Sequence, residues 1–300
     1  MQPYHIPVLL HETIDALQVN PGGIYVDCTF GGGGHSRELL KRLGPGGRLL
    51  VFDQDEQAKQ NLPDDQRVTF IHQNFTHLHR MLKLNGVTGV QGIMADLGVS
   101  SHQFDEAERG FSIRFDAPLD MRMDKRNALT AARVVMEYGE RQLHLLFEKY
   151  GEVTNSKTLA ATIVRARKTT PLLTTGTLKT VLEPVVKGNP NRYLAQVFQA
   201  LRIEVNNELG VLEEMLEQTP ALLTPGGRLA IITFHSLEDR LVKRFFKTGT
   251  FNPPEDNPFI QTHENNPFRV ITQKPVEPGS EEIAANPRSR SARLRVAEKI

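Results

Sequence analysis

Only one cysteine, Cys28, occurs in the 300 residues. An intramolecular disulfide is therefore excluded, and a reducing compartment fits. No apolar run approaches the ~18 residues that a membrane-spanning helix needs, so no transmembrane segment is expected. The stretch Met1-Gln2-Pro3-Tyr4-His5-Ile6-Pro7 lacks a cationic region followed by an apolar one, and no secretory signal is read there. A cytoplasmic protein is the expectation. Charge of one sign is also missing, since 36 Lys and Arg face 35 Asp and Glu and leave a formal +1. Any nucleic-acid partner must then be met by local basic patches, because there is no global field to attract it. No repeat of solenoid or domain size is present, and the length suffices for one large or two modest domains.

What is present, early in the chain, is a run of four glycines, Gly31 to Gly34. It follows the apolar run Gly23-Ile24-Tyr25-Val26, which reads as a strand, and Asp27-Cys28-Thr29-Phe30. It precedes Arg37 to Leu43, whose apolar spacing is helical. Glycine removes the Cβ, so a ligand can lie against the backbone, and the next helix directs its free N–H groups at that ligand. A flexible linker would not be expected between a buried strand and an amphipathic helix. Cys28, inside this stretch, reads as a small buried residue.

Arg48 to Asp53 is an apolar run ending in an acid, the pattern of a buried parallel strand. Asp53 stands 20 residues after Gly33. A carboxylate there is placed to accept hydrogen bonds from ribose hydroxyls. Val68 to His72 reads as a third strand, followed by Gln73-Asn74-Phe75, and Gly92 to Asp96 reads as a fourth, again ending in an acid. Strands alternating with helices, with polar residues at strand carboxyl ends, describe a doubly wound α/β sheet. Loop 27–36, Asp53, Phe75 and segment 96–103 would share the edge where such sheets bind ligands.

Strand-like runs stop between about 105 and 205. Thr130–Met136, Gln142–Phe147, Lys157–Arg165 and Tyr193–Leu201 suit helices, so a mostly helical insertion at 105–205 is expected within a core formed by 1–104 and 206–300. Two basic clusters lie in it, Arg165 to Lys168 and Lys187 to Arg192. Such clusters are either a solvated face or phosphate contacts. Beyond a helix at Asn206–Leu216 and a turn at Thr224–Gly227, Arg228–Phe234 reads as a strand. His235 and Ser236 follow at its carboxyl end, with Ser236 as expected helix cap and Asp239 three residues on. Phe268–Ile271 is the expected last strand. From 286 to 300, five Arg or Lys less one Glu leave +4. Arginines among serines there suit phosphate contacts or a solvated tail.

Two nucleotide ligands fit the glycine loop. The dinucleotide fingerprint wants a third glycine, and Ser36 occupies that region. Asp27, beside the loop, would repel a pyrophosphate. S-adenosylmethionine carries no phosphate, its ammonium can pair with an acid, and its sulfonium suits aromatic faces such as Phe30 or Phe75. The chemistry favours a methyl donor, while a lone glycine loop leaves an NAD-dependent dehydrogenase open. A third option is an RNA-binding assembly factor with a vestigial pocket.

Long motifs narrow the choice. His5–Leu10, Asp27–Ser36, Asp96–Gln103, Arg109–Ser112, Pro118–Met123, Ala200–Glu208, Phe234–Arg240 and Asn286–Ala292 together resemble the MraW/RsmH family over nearly the whole chain. The resemblance implies a seven-stranded class I methyltransferase sheet with a helical insertion domain that recognises substrate. It implies methylation of N4 of a cytidine in the decoding region of 16S ribosomal RNA, with S-adenosylmethionine as donor and S-adenosylhomocysteine as product. It further implies the small ribosomal subunit as partner, leaves a homodimer open, and calls for no metal. The residues it places on the cofactor are Gly33, Gly34, His35, Asp53, Phe75, Asp96 and Gln103, to which the ligand chemistry adds Asp27.

The reaction needs an acceptor for the amine proton. Many amino-methyltransferases place Asp/Asn-Pro-Pro-aromatic after the fourth strand, whereas Asp96-Leu97-Gly98-Val99 stands here. Asp96, assisted by Ser100 or Ser101, is the first candidate acceptor; His235 with Ser236 is the second. Arg109 and Asp120–Arg122 are expected at the base of the insertion.

Overall fold

Short aliphatic runs between glycine turns build the sheet that positions everything else. The structure is a computed structural model describing residues 7–99, 104, 106–251 and 266–300. Its strands are β1 (Ile24–Asp27), β2 (Arg48–Phe52), β3 (Val68–Ile71), β4 (Val90–Asp96), β5 (Leu223–Thr233), β6 (Phe268–Val270) and β7 (Arg293–Lys299). They form one seven-stranded sheet in the order β3-β2-β1-β4-β5-β7-β6. The pairs from β3 through β5 are parallel, and β7 runs antiparallel between β5 and β6. This is the expected class I methyltransferase order. The chain leaves β1 towards β2 and β3, then returns to β4 on the other side, so a crevice opens beyond the carboxyl ends of β1 and β4.

Strand alternation assigns side chains to two faces. Leu50, Phe52, Ile93 and Ile231 face one apolar cluster, while Leu49, Val51, Met94 and Ile232 face another. Helices cover both faces. On the first lie α3 (Leu78–Leu84), α9 (Glu208–Leu222) and α10 (Ser236–Thr248), through Leu82, Met215 and Phe245. On the second lie α1 (Leu10–Ala16) and α2 (Gly34–Arg42), through Ile14 and Leu39. Each fully buried side chain of this size contributes about 1.5–3 kcal/mol.

Several expectations change here. Phe268–Val270 is not the last strand, because Arg293–Lys299 forms β7. In the arginine-rich end, Arg288 and Arg290 are exposed, whereas Arg293 and Arg295 have partners within the fold. Leu294 and Val296 are buried on one face, and Arg295 on the other donates to both carboxylate oxygens of Asp239 at 2.6 and 3.1 Å. Arg293 joins the same carboxylate at 3.3 Å. Burial raises the Asp239 pKa, but the two arginines outweigh it and hold the group below its ordinary value. Second, the helix expected at Asn206–Leu216 begins two residues later and runs on to Leu222 as α9, because Asn206 ends the preceding helix α8 (Pro190–Asn206) and Asn207, at φ 48°, separates the two. Third, Thr224–Gly227 is an irregularity inside β5: the register with β4 slips between Val90↔Leu223 and Gly92↔Arg228.

The chain divides into two compact units, Met1–Gly98 with Leu209–Ile300, and Val99–Glu208. The second is helical: α4 (Ala131–Glu137), α5 (Glu140–Gly151), α6 (Ser156–Ala166), α7 (Thr175–Leu182) and α8. Its own core includes Leu143, Phe147, Ile163, Leu178, Val197 and Leu201. Arg167, counted above in a basic cluster, is structural, since its Nη1 donates to the carbonyls of Val135 and Tyr138 at 2.9 and 2.6 Å. Arg109 is buried and donates to the carbonyls of Arg122 and Met123 at 3.0 and 3.1 Å. Among the described residues no helix is long and apolar enough to cross a membrane.

The entry into α1 is strained. Leu9 has φ 50° and ψ 40°, a left-handed conformation that costs a branched residue about 1–2 kcal/mol. Its N–H donates at 2.8 Å to Oε1 of Glu282, on α11 (Ser280–Ala285).

Candidate active site

The glycine loop is tied to both neighbouring strands. Cys28 N–H donates to the Met94 carbonyl at 2.8 Å, and Phe30 N–H to the Phe52 carbonyl at 2.9 Å. Gly33 precedes α2 at φ 72°, and a Cβ there would sit 2.8 Å from the Phe30 ring. A Cβ on Gly34 would sit 2.1 Å from Pro7 Cγ. So two of the four glycines are required by the protein's own packing as well as leaving the backbone bare. The first N–H groups of α2 lack intrahelical partners, as at any helix start.

Asp27, Asp53 and Asp96 gather around this loop at the ends of β1, β2 and β4. Asp27 is 2% exposed. Its oxygens accept from Thr29 N–H at 3.0 Å and Ser36 Oγ at 2.6 Å. Burial nevertheless pushes its pKa up to about 6, because removing a carboxylate from water outweighs two hydrogen bonds. Asp53 accepts from Gly31 N–H and Asp55 N–H, both at 2.8 Å, so it fastens the loop to the end of β2. Burial, with Asp55 and Asp27 adding repulsion, carries it to about 6 against those two bonds.

Asp96 is held through its backbone, whose N–H donates to Thr29 Oγ1 at 2.6 Å. Its Oδ2 lies 3.8 Å from His35 Nδ1. Its Oδ1 is buried with no hydrogen-bond partner among the described residues. Burial first, then Asp27 and Glu238, raise its pKa well above the ordinary carboxylate value. His35, 7% exposed, has Nε2 at 3.0 Å from the Val8 carbonyl. Thr13, Asp27, His35 and Asp96 line one small crevice with Met94 and Ile232.

At the end of β5 the cap differs from expectation. His235, not Ser236, caps α10, and Glu238, not Asp239, is its partner. Glu238 N–H donates to His235 Nδ1 at 3.4 Å, while Glu238 Oε2 accepts from His235 N–H at 3.4 Å and also from Phe234 N–H at 2.9 Å. The reciprocal bonding satisfies two helix-end donors. With Nδ1 accepting, the neutral ring carries its proton on Nε2. That nitrogen lies 3.2 Å from Glu238 Oε1 without hydrogen-bond geometry.

Of the remaining sequence candidates, Phe75 opens a single 3-10 turn, Phe75–His77, and packs against the sheet cluster of α3 and α9. Cys28 is buried, and burial raises its thiol pKa well above the ordinary value. Ser100, Ser101 and Gln103 lie outside the described residues. Sequence reasoning missed Thr29, Val8 and Glu238. Only Glu238 left a local signal, three residues after His235, the spacing of a capping box.

Comparison with known proteins resolves which chemistry this edge serves. A family model described as the MraW methylase family matches residues 2–300. The chain belongs to the MraW methylase family. Within it, the chain is 54% identical over 298 residues to a protein of Flavobacterium johnsoniae named ribosomal RNA small subunit methyltransferase H, covering 99% of this chain and 98% of that one. A Bacteroides fragilis protein of the same name is 52% identical over 297 residues, covering 99% and 97%. One from Christiangramia forsetii, again so named, is 52% identical over 302 residues, covering 100% and 99%. Membership of the MraW family leaves the dehydrogenase reading and the vestigial-pocket reading without support.

Proposed function

We propose that this protein transfers a methyl group from S-adenosylmethionine to the exocyclic N4 of a cytidine in the decoding region of 16S ribosomal RNA, within the small subunit. What carries the reading is Asp96 Oδ1, a buried acceptor without a partner among the described residues, beside a glycine loop ringed by carboxylates. Full-length relatives named as small-subunit ribosomal RNA methyltransferases support the substrate. The family resemblance supports the N4 position, and the resemblance with the carboxylates around the loop supports the donor.

The residues present fit a cationic, phosphate-free cofactor. Three carboxylates around one loop would repel a pyrophosphate and attract an ammonium or a sulfonium. Asp27 would supply charge for the ammonium, Asp53 would accept from ribose hydroxyls, and the backbone of Gly33, Gly34 and His35 would meet the carboxylate; Phe75, Asp96 and Gln103 would complete the set. When bound, S-adenosylmethionine supplies an electrophilic methyl group.

The chain's own work is orientation and proton handling. The cytosine amine is a poor nucleophile because its lone pair is conjugated into the ring. Asp96 Oδ1 accepts one amine N–H, directing the lone pair, and takes the proton once the new N–C bond forms. His35 stands behind Asp96, where a proton on Nδ1 would favour the ionised carboxylate against the burial that raises its pKa. His235 suits a donor rather than an acceptor, its neutral proton being on Nε2. The target base leaves its stack to reach the site, and the helical unit takes the role of RNA recognition.

Calorimetry tests the cofactor assignment. S-adenosylhomocysteine should bind and NAD should not; NAD binding without S-adenosylhomocysteine binding overturns it.

A further inference from the structure

We infer that Glu282 is a positioning residue for this reaction: through the bend at Leu9 it sets the His35 imidazole and, with it, the Asp96 carboxylate. The kinetic consequence rests on the methyl-transfer reading; the structural linkage does not.

Four contacts, reaching across 273 residues of sequence, make the linkage. Glu282 Oε1 accepts the Leu9 N–H at 2.8 Å. Leu9 is 1% exposed, so that N–H has no water to turn to. The left-handed φ of 50° at Leu9 fixes where the preceding carbonyl points. The Val8 carbonyl stands 3.0 Å from His35 Nε2, and the far nitrogen, Nδ1, stands 3.8 Å from Asp96 Oδ2. Pro7 presses on Gly34 in the same first turn of α2, so residues 7–9 form a strap across the start of that helix.

The strap decides where the His35 proton sits. A carbonyl oxygen only accepts, so Nε2 must carry hydrogen. The neutral ring then turns a lone pair on Nδ1 towards Asp96, which is also an acceptor. At 3.8 Å, beyond hydrogen-bond reach, the two attract only when a proton sits on Nδ1 and the carboxylate is ionised. With it on Nδ1, His35 is an imidazolium and Asp96 a carboxylate whose Oδ1 is free for the amine. Without the Val8 bond the ring can become neutral with Nδ1–H, and the pair loses the charge that keeps Asp96 ionised.

Glu282→Ala removes the acceptor for Leu9, Glu282→Gln keeps one, and Glu282→Met keeps the volume should the alanine variant fail to fold. In full-length 15N-labelled protein, with the His35 signals identified by their loss in His35→Gln, Glu282→Ala should move the His35 Nε2 and Nδ1 resonances. It should also lower kcat by about tenfold, with a much smaller change in the KM for S-adenosylmethionine. Glu282→Gln should restore both. Unchanged His35 resonances in Glu282→Ala and Glu282→Met, even with a lower melting temperature, overturn the inference. Moved resonances in a protein whose wild type methylates no RNA would refute the reaction and leave the linkage standing.

Discussion

Asp27 shows how much of the site is built at a cost to stability. Both its oxygens are hydrogen-bonded, yet burial lifts its pKa to about 6. The folded chain therefore holds this proton more tightly than the unfolded chain does. Between about pH 4 and pH 6 the folded state binds more protons, so this group's contribution falls as pH rises and is fully lost above pH 6. A shift of this size corresponds to about 3 kcal/mol. Asp27→Asn should raise the melting temperature of the unliganded protein by roughly 5 °C at pH 8, with no gain at pH 4, while weakening S-adenosylhomocysteine about tenfold. Scanning calorimetry at the two pH values and titration calorimetry read the two effects; no stabilisation at pH 8 would contradict the burial account. For Asp96→Asn, turnover at saturating cofactor should fall about 10²-fold. Because His235 offers a donor and a helix cap, His235→Ala should cost about tenfold or less. Equal losses in the two variants would remove the distinction drawn between them.

Elements are held by pairs remote in sequence, which is why they were only partly legible. Asp239→Ala would leave Arg295 buried without its partner, at about 3–5 kcal/mol, and should lower the melting temperature by about 10 °C. Asp239→Leu with Arg295→Leu should recover much of that; a double variant as unstable as the single one would deny the pairing. The first four strands showed in sequence because aliphatic runs, glycine turns and terminal acids are local signals. Strand β7 did not, because Arg293 and Arg295 alternate with Leu294 and Val296, and a charged stripe looks solvated until Asp239 is brought to it. The α10 cap was misplaced by one residue because serine is the commoner cap, and only the Glu238 geometry reveals His235 in that role. Asp53 was picked out by its spacing to Gly33, and Asp96 as the acid that ends a strand. Pro7 on Gly34, and Glu282 on Leu9, were not: close packing and long-range hydrogen bonds leave no periodic trace.

Over the whole molecule a formal charge of +1 means that RNA must be met by patches. With Arg167, Arg293 and Arg295 committed to internal partners, Arg165, Lys168, Lys187 and Arg192 are the exposed cations remaining from the helical clusters. Lys168→Glu or Lys187→Glu should weaken RNA binding uniformly across sequences and reduce the slope of affinity against salt by about 1. A flat salt dependence in the wild type would place recognition elsewhere. The central claim is the reaction itself. Its most direct test is mass mapping of 16S RNA from small subunits that lack the modification, before and after incubation with this protein and S-adenosylmethionine. One added methyl on N4 of a single decoding-region cytidine is the result expected; no incorporation, or a methyl on another nucleotide or another atom, would contradict it.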